Sequence, residues 1–161
     1  MEKGIFERNV PGSTARLASS TVGIAGCGGI GSNAAVALVR AGVGRIILAD
    51  HDTVEECNLN RQHFFRKDLG RVKVEALAEY LLDINPEAEV AARRVRLTAE
   101  NLAGVFGEAD VLVEAFDRAE DKHWLLDRWC TAFPGRPVVA VSGISGLGKS
   151  SEIVLNRSGD I

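Results

Sequence analysis

Residues 21–52 read TVGIAGCGGIGSNAAVALVRAGVGRIILADHD, and the fold is decided here. An apolar run over 21–25 ends in a glycine cluster, and an alanine- and valine-rich segment over 32–40 closes at Gly42. That order predicts strand, tight turn and helix, with a second buried strand over 45–49 whose carboxyl end carries Asp50, His51 and Asp52. Gly26, Gly28 and Gly31 fit a G-x-G-x-x-G turn, with Gly29 between them. Such a turn lets phosphates approach the backbone and presents the free N–H groups of the helix amino end to an anion. Asp50 follows Gly31 by about 20 residues, the distance at which an acid at the end of the next strand accepts hydrogen bonds from a ribose.

The rest of the chain extends this pattern. Residues 53–67 lack a clean period and read as a long loop at the carboxyl edge of the sheet, where doubly wound folds carry their chemistry. A helix over 70–84 places Val74, Leu77, Leu81 and Ile84 on one face, and Asn85 with Pro86 stops it. A weaker strand over 90–97 is broken by Arg93 and Arg94 and is expected at or near an edge. Val111, Leu112 and Val113 suit a fourth strand over 110–115, covered on both faces, with Asp117 just past its end. A helix over 119–133 is expected to bury Leu126, Trp129, Cys130 and Phe133, and strands follow over 137–141 and, antiparallel, over 152–155. The expected fold is therefore α/β and Rossmann-like, a mostly parallel sheet with helices on both faces and right-handed crossovers. Residues 1–20, with a short helix after Ser13, read as an amino-terminal arm, and 21–161 as one nucleotide-binding domain.

Bulk properties narrow the function. The 161 residues are 46% hydrophobic and 25% charged, which suits one ordinary domain. A net charge of -3 gives no general attraction to nucleic acid or to anionic membranes, so phosphate binding must be local. Cys27, Cys57 and Cys130 have no paired spacing and, with no cationic-then-apolar leader, point to a reducing cytoplasm. No apolar stretch approaches the roughly 20 residues of a membrane span.

A glycine turn followed by an acid serves a nicotinamide-dependent oxidoreductase equally well, so other residues must discriminate. If the long loop folds over the turn, Arg61 and Lys73 bring two cations to the phosphates, alongside Asp52, Asn58 and Gln62. Asp117 would add a carboxylate suited to Mg2+. Cleavage of a triphosphate calls for that much charge, whereas a dinucleotide pyrophosphate does not. A phosphate-loop pattern at 143–150, GISGLGKS, lacks the helix it requires downstream and reads as a glycine-rich crossover. Cys27 and Cys130 read as packing residues, Cys57 as a loop cysteine, and His51 as a structural residue pointing away from its flanking aspartates. Trp124 and Trp129 read as core or interface packing.

Taken together, GCGGIGSNAA at 26–35, RAGVGRIILADHDTVEECNLNRQHFF at 40–65, GRVKVEAL at 70–77 and INP at 84–86 resemble the ThiF/MoeB/HesA family, relatives of the ubiquitin-activating enzymes. EAFD at 114–117 and VSGISGLG at 141–148 look closest to the short, clostridial-type ThiF branch linked to thiamine biosynthesis. The resemblance implies an ATP- and Mg2+-dependent adenylyltransferase acting on a ThiS-like, ubiquitin-like sulfur carrier that ends in Gly-Gly. It implies ribose binding by Asp50, phosphate binding by Asn58, Arg61 and Lys73, loop support by Gln62, and Mg2+ coordination by Asp117. It also implies a homodimer in which Arg8 acts in trans. Arg118 departs from the family's usual Asn and Lys122 from its usual Arg, and the paired C-x-x-C zinc site of many relatives is not expected. A binding or scaffold domain without turnover stays open as a reading, as does an oxidoreductase.

Overall fold

The computed structural model describes residues 4–141; the segments 143–150 and 152–155 lie outside the described residues. Helix α1 (Ser13–Ala18) precedes strand β1 (Thr21–Ala25), followed by α2 (Gly29–Ala41), β2 (Arg45–Asp50), α3 (Lys73–Ile84) and β3 (Glu89–Arg94). A short α4 (Leu102–Phe106), β4 (Val111–Glu114), α5 (Ala119–Ala132) and β5 (Val138–Ala140) complete the series. The strands form one sheet in the order β3-β2-β1-β4-β5, every pairing parallel. The expected Rossmann-like α/β architecture is the one observed.

Alternation along the strands divides the core into two layers. Ile46 and Leu48 of β2 join Ile24, Val39, Leu77 and Leu81 beneath α2 and α3. Ile47 and Ala49 face the other way, toward Leu102, Phe106, Leu125 and Trp129 of α4 and α5. Trp129 is fully buried, and its indole N–H donates to the Arg136 carbonyl at 3.1 Å. Its truncation to Ala should cost about 3–5 kcal/mol.

Several local readings shift. The buried face of α5 runs through Leu125 and Trp129, with Leu126 and Phe133 only partly covered, so Cys130 is exposed rather than packed. Helix α4 carries too short a pattern to be legible beforehand. The amino-terminal segment does not stand clear of its own domain. The Gly44 N–H donates to the Leu17 carbonyl at 3.0 Å and the Asn9 side chain donates to the Ala41 carbonyl at 2.9 Å. A Cβ at Gly44 would stand 1.9 Å from the Ala18 carbonyl oxygen, so α1 docks where only glycine leaves room. Among the described residues no helix is long and apolar enough to cross a membrane.

Candidate nucleotide-binding cleft

In this strand order the chain reverses its direction of winding between β1 and β4, which opens a crevice at the carboxyl ends of those strands. A cleft of roughly 590 Å³ lies there, walled by the β1–α2 turn, the segment after β2, and the β4–α5 turn. Gly26 has φ 97°, a left-handed conformation that favours glycine. A Cβ on Gly31 would fall 1.8 Å from the Gly26 carbonyl oxygen, so the helix can begin this close to the strand only with glycine there. Gly26, Gly28 and Gly29 line the cleft, while Gly31 lies beneath it.

Asp50 ties the turn to β2. Its Oδ2 accepts the Cys27 N–H at 2.7 Å and its Oδ1 accepts the Asp52 N–H at 2.8 Å, which fixes the carboxylate while leaving further lone pairs on both oxygens. Burial raises the Cys27 thiol well above its ordinary value, the Asp50 charge raises it further, and Lys73 opposes them weakly. Cys27 is thus a neutral packing residue.

The long loop after β2 is drawn over the turn by bonds that sequence patterns did not reveal. Thr53 bridges Val72, and the Lys73 N–H donates to the Asp52 carbonyl at 3.0 Å, which closes the loop at its base. At its tip the buried Ser32 hydroxyl accepts the His63 N–H at 2.9 Å, and the Asn33 side chain donates to the Arg61 carbonyl at 2.9 Å. Arg61 consequently lies across Gly29, where a Cβ would meet its Cγ at 3.4 Å. Its guanidinium donates to the Cys57 carbonyl and to Asn60 at 3.1 and 2.9 Å. Lys73, buried at the start of α3, donates from Nζ to Asp52 Oδ2 at 3.2 Å.

Gln62 is buried beside Gly28 and holds a side-chain oxygen with no partner among the described residues. Among the described residues a Cβ on Gly28 would meet only the Gln62 side chain, at 3.8 Å, so these residues leave space above the turn and an unsatisfied polar group at its margin. Those features fit a polar ligand seated on the turn. Asp50, Asp52, Arg61, Gln62, Lys73 and Asp117 all line this one cleft.

Asn58 and Arg8 do not. Asn58 is buried in its own loop, accepting the Glu55 N–H at 3.0 Å, so it shapes the loop instead of facing the cleft. Arg8 is exposed and lines no part of the cleft of its own chain.

Trp124 packs against the second core layer as expected and also borders the cleft, its indole N–H donating to Asp121 at 3.1 Å and its ring 6.0 Å from that of Phe116. Arg96 borders it too and was not singled out from sequence, because nothing in its spacing marks it. His51 is exposed at the cleft with Nε2 3.4 Å from Asp52 Oδ1, so it faces its neighbour instead of pointing away.

For a cation, Asp50, His51 and Asp52 offer atoms within 4.8 Å of one another among the described residues. Asp117 is exposed and outside that group. One carboxylate completed by phosphate oxygens and water is nevertheless what Mg2+ commonly uses beside a nucleotide, so the residues at the β4–α5 turn fit that ion.

A family model described as ThiF family matches residues 5–159. Adenylyltransferase and sulfurtransferase uba4 of Aspergillus clavatus is 36% identical over 143 residues, covering 88% of this chain and 28% of the relative. The tRNA threonylcarbamoyladenosine dehydratase of Bacillus subtilis is 44% identical over 103 residues, 63% of this chain and 41% of that protein. The chain therefore spans less than half the length of these curated relatives. Among solved structures, the E. coli tRNA N6-threonylcarbamoyladenosine dehydratase TcdA in complex with AMP matches with a TM-score of 0.77 at 33% identity, covering 81% of this chain and 54% of that one. E. coli MccB with MccA-N7isoASN matches with a TM-score of 0.73 at 33% identity, over 80% and 37% of the two chains.

Proposed function

Because the chain belongs to the ThiF family, we propose that it is an ATP-dependent adenylyltransferase that activates a carboxylate and releases pyrophosphate. The carrying observation is that Asp50, Arg61, Lys73 and Asp117, far apart in the chain, line one cleft with the glycine turn. In this reading Asp50 holds the ribose, and the helix amino end with Arg61 and Lys73 holds the phosphates. The acceptor carboxylate is already ionised at neutral pH, so no general base is needed. The protein's work is to align two mutually repelling anions and to meet the charge growing on the α-phosphate and the departing pyrophosphate. Mg2+, held by Asp117 together with the phosphates, would supply Lewis-acid polarisation of the phosphate oxygens.

The acceptor we favour is the C-terminal glycine carboxylate of a ThiS-like, ubiquitin-like sulfur carrier ending in Gly-Gly, which the motif resemblance supports and with which the similarity to uba4 agrees. The similarity to tRNA threonylcarbamoyladenosine dehydratases supports a second acceptor, a carboxylate borne on a modified nucleoside. The organisation that accompanies the reading is a cytoplasmic homodimer, with 21–161 as nucleotide-binding domain and the 1–20 segment presenting Arg8 to a second subunit.

Exchange of labelled pyrophosphate into ATP tests this reading. Exchange dependent on a Gly-Gly-ending carrier is the expected result; exchange dependent on the modified tRNA instead would replace the acceptor. A native chain that shows no exchange and binds no ATP would overturn the adenylation reading.

A further inference from the structure

We infer that Glu114 and Lys122 are a positioning pair that sets where Asp117 stands relative to the glycine turn, an assignment that rests on the adenylation reading above. Glu114 ends β4 with its side chain fully buried, between Ala25 of β1 and Ala140 of β5 in the sheet. Both of its oxygens accept from Lys122 Nζ, at 2.9 and 3.1 Å, and Oε1 also accepts the Phe116 N–H at 2.7 Å. Lys122 lies in the first turn and a half of α5, its own N–H bonded to the Arg118 carbonyl at 3.1 Å. The pair therefore spans the β4–α5 turn from one end to the other, and Asp117 lies inside that span.

Nothing in the cleft as described needs Glu114 or Lys122 to touch a ligand, and neither lines it. Holding β4 against α5 is also not a sufficient reason for them. Apolar side chains of similar volume would do so without the desolvation cost of a buried ion pair, and commonly with equal or greater stability. What charges add is direction. Glu114 fixes the peptide of Phe116, the residue immediately before Asp117, and Lys122 fixes Glu114 from the helix. The same turn touches the nucleotide loop: the Ala115 N–H donates to the Ala25 carbonyl at 3.0 Å, and a Cβ on Gly26 would stand 3.1 Å from the Ala115 oxygen. The pair thus couples the carboxylate at 117 to the glycine turn through short, directional bonds.

The test compares the native full chain with Glu114→Gln, Lys122→Met, the double variant and Lys122→Arg. Three measurements are made on each: thermal melting, ATP affinity by equilibrium dialysis in EDTA and in MgCl2, and pyrophosphate exchange. Lys122→Met leaves Glu114 and its bond from the Phe116 N–H in place, so this variant carries the test if Glu114→Gln does not fold. Both single variants should keep the affinity for ATP in EDTA, lose most of the gain that MgCl2 confers, and exchange pyrophosphate on the order of a hundredfold more slowly. The double variant should be no worse than either single one, since the two residues act as a unit. Lys122→Arg, which can bond both carboxylate oxygens, should retain the MgCl2 gain.

Lower melting with the MgCl2 gain and the exchange rate intact would overturn the assignment and leave a purely structural pair. Failure of both single variants to fold would overturn it as well, since the pair would then be a stability element. A native chain that binds no ATP would overturn the adenylation reading and this assignment with it; a native chain that binds ATP with unaffected variants overturns the assignment alone.

Discussion

At Asp50 two of the carboxylate's lone pairs already hold backbone N–H groups of the glycine turn and of Asp52, so its geometry is set before any ligand arrives. Asp50→Ala should weaken ATP binding roughly tenfold to a hundredfold through the lost charged hydrogen bonds, measured by equilibrium dialysis. An unchanged affinity would remove Asp50 from the site. Asp117 stands in a different relation to the cleft. It is exposed, no hydrogen bond among the described residues holds its side chain, and it lines the same cleft as Arg61 and Lys73. Asp117→Ala should therefore leave most ground-state ATP affinity in place while slowing pyrophosphate exchange by about a hundredfold or more, an effect concentrated in the transition state. Normal exchange by a lower-melting variant would make Asp117 a structural residue of the α5 amino end.

Among the elements, the loop between β2 and α3 has the most unusual construction for its length. Its second half is organised around Asp68, a fully buried carboxylate that accepts the Phe65 N–H at 2.8 Å, Tyr80 Oη at 2.6 Å and Arg71 at 3.2 Å. Burial alone would push this carboxyl up, but the bonds from Tyr80, Phe65 and Arg71 outweigh it and hold Asp68 below the usual carboxylate range. Burial, and then the bond to Asp68, push the Tyr80 hydroxyl up to about 12. A carboxylate whose folded value is depressed stabilises fully above its unfolded value, near about pH 4, and that stability is lost as pH falls through the folded value. Asp68→Asn should cost roughly 3 kcal/mol at neutral pH and flatten the acid side of the stability profile. Chemical denaturation of both proteins from pH 7 down to the acid transition measures it; parallel profiles would show that Asp68 carries no linked stability. Because the loop's other end delivers Arg61 and Gln62, the variant should also weaken ATP binding.

For the whole molecule, the proposed homodimer rests on the amino-terminal segment, whose outer residues are exposed. Arg8 is exposed there, flanked by Ile5 and Val10 at 60% and 74% exposure. We expect a homodimer at micromolar concentration by equilibrium sedimentation, and restoration of exchange when Arg8→Ala chains are mixed with Asp117→Ala chains. A strictly monomeric species would dismiss Arg8. The sheet, the glycine turn and the acid at position 50 were legible in sequence because each rests on local periodicity or on a backbone shape that only glycine permits. Arg61, Lys73 and Asp117 were legible through joint motif spacing, and the cleft does bring them together. The inward turn of Asn58, the exposure of Cys130, the docking of α1 and the cleft positions of Trp124 and Arg96 were decided by tertiary structure alone. So was the burial of Glu114 against Lys122. Each of these depends on which neighbour a side chain meets across the fold, and a period of 2 or 3.6 residues specifies a face without naming the partner that covers it.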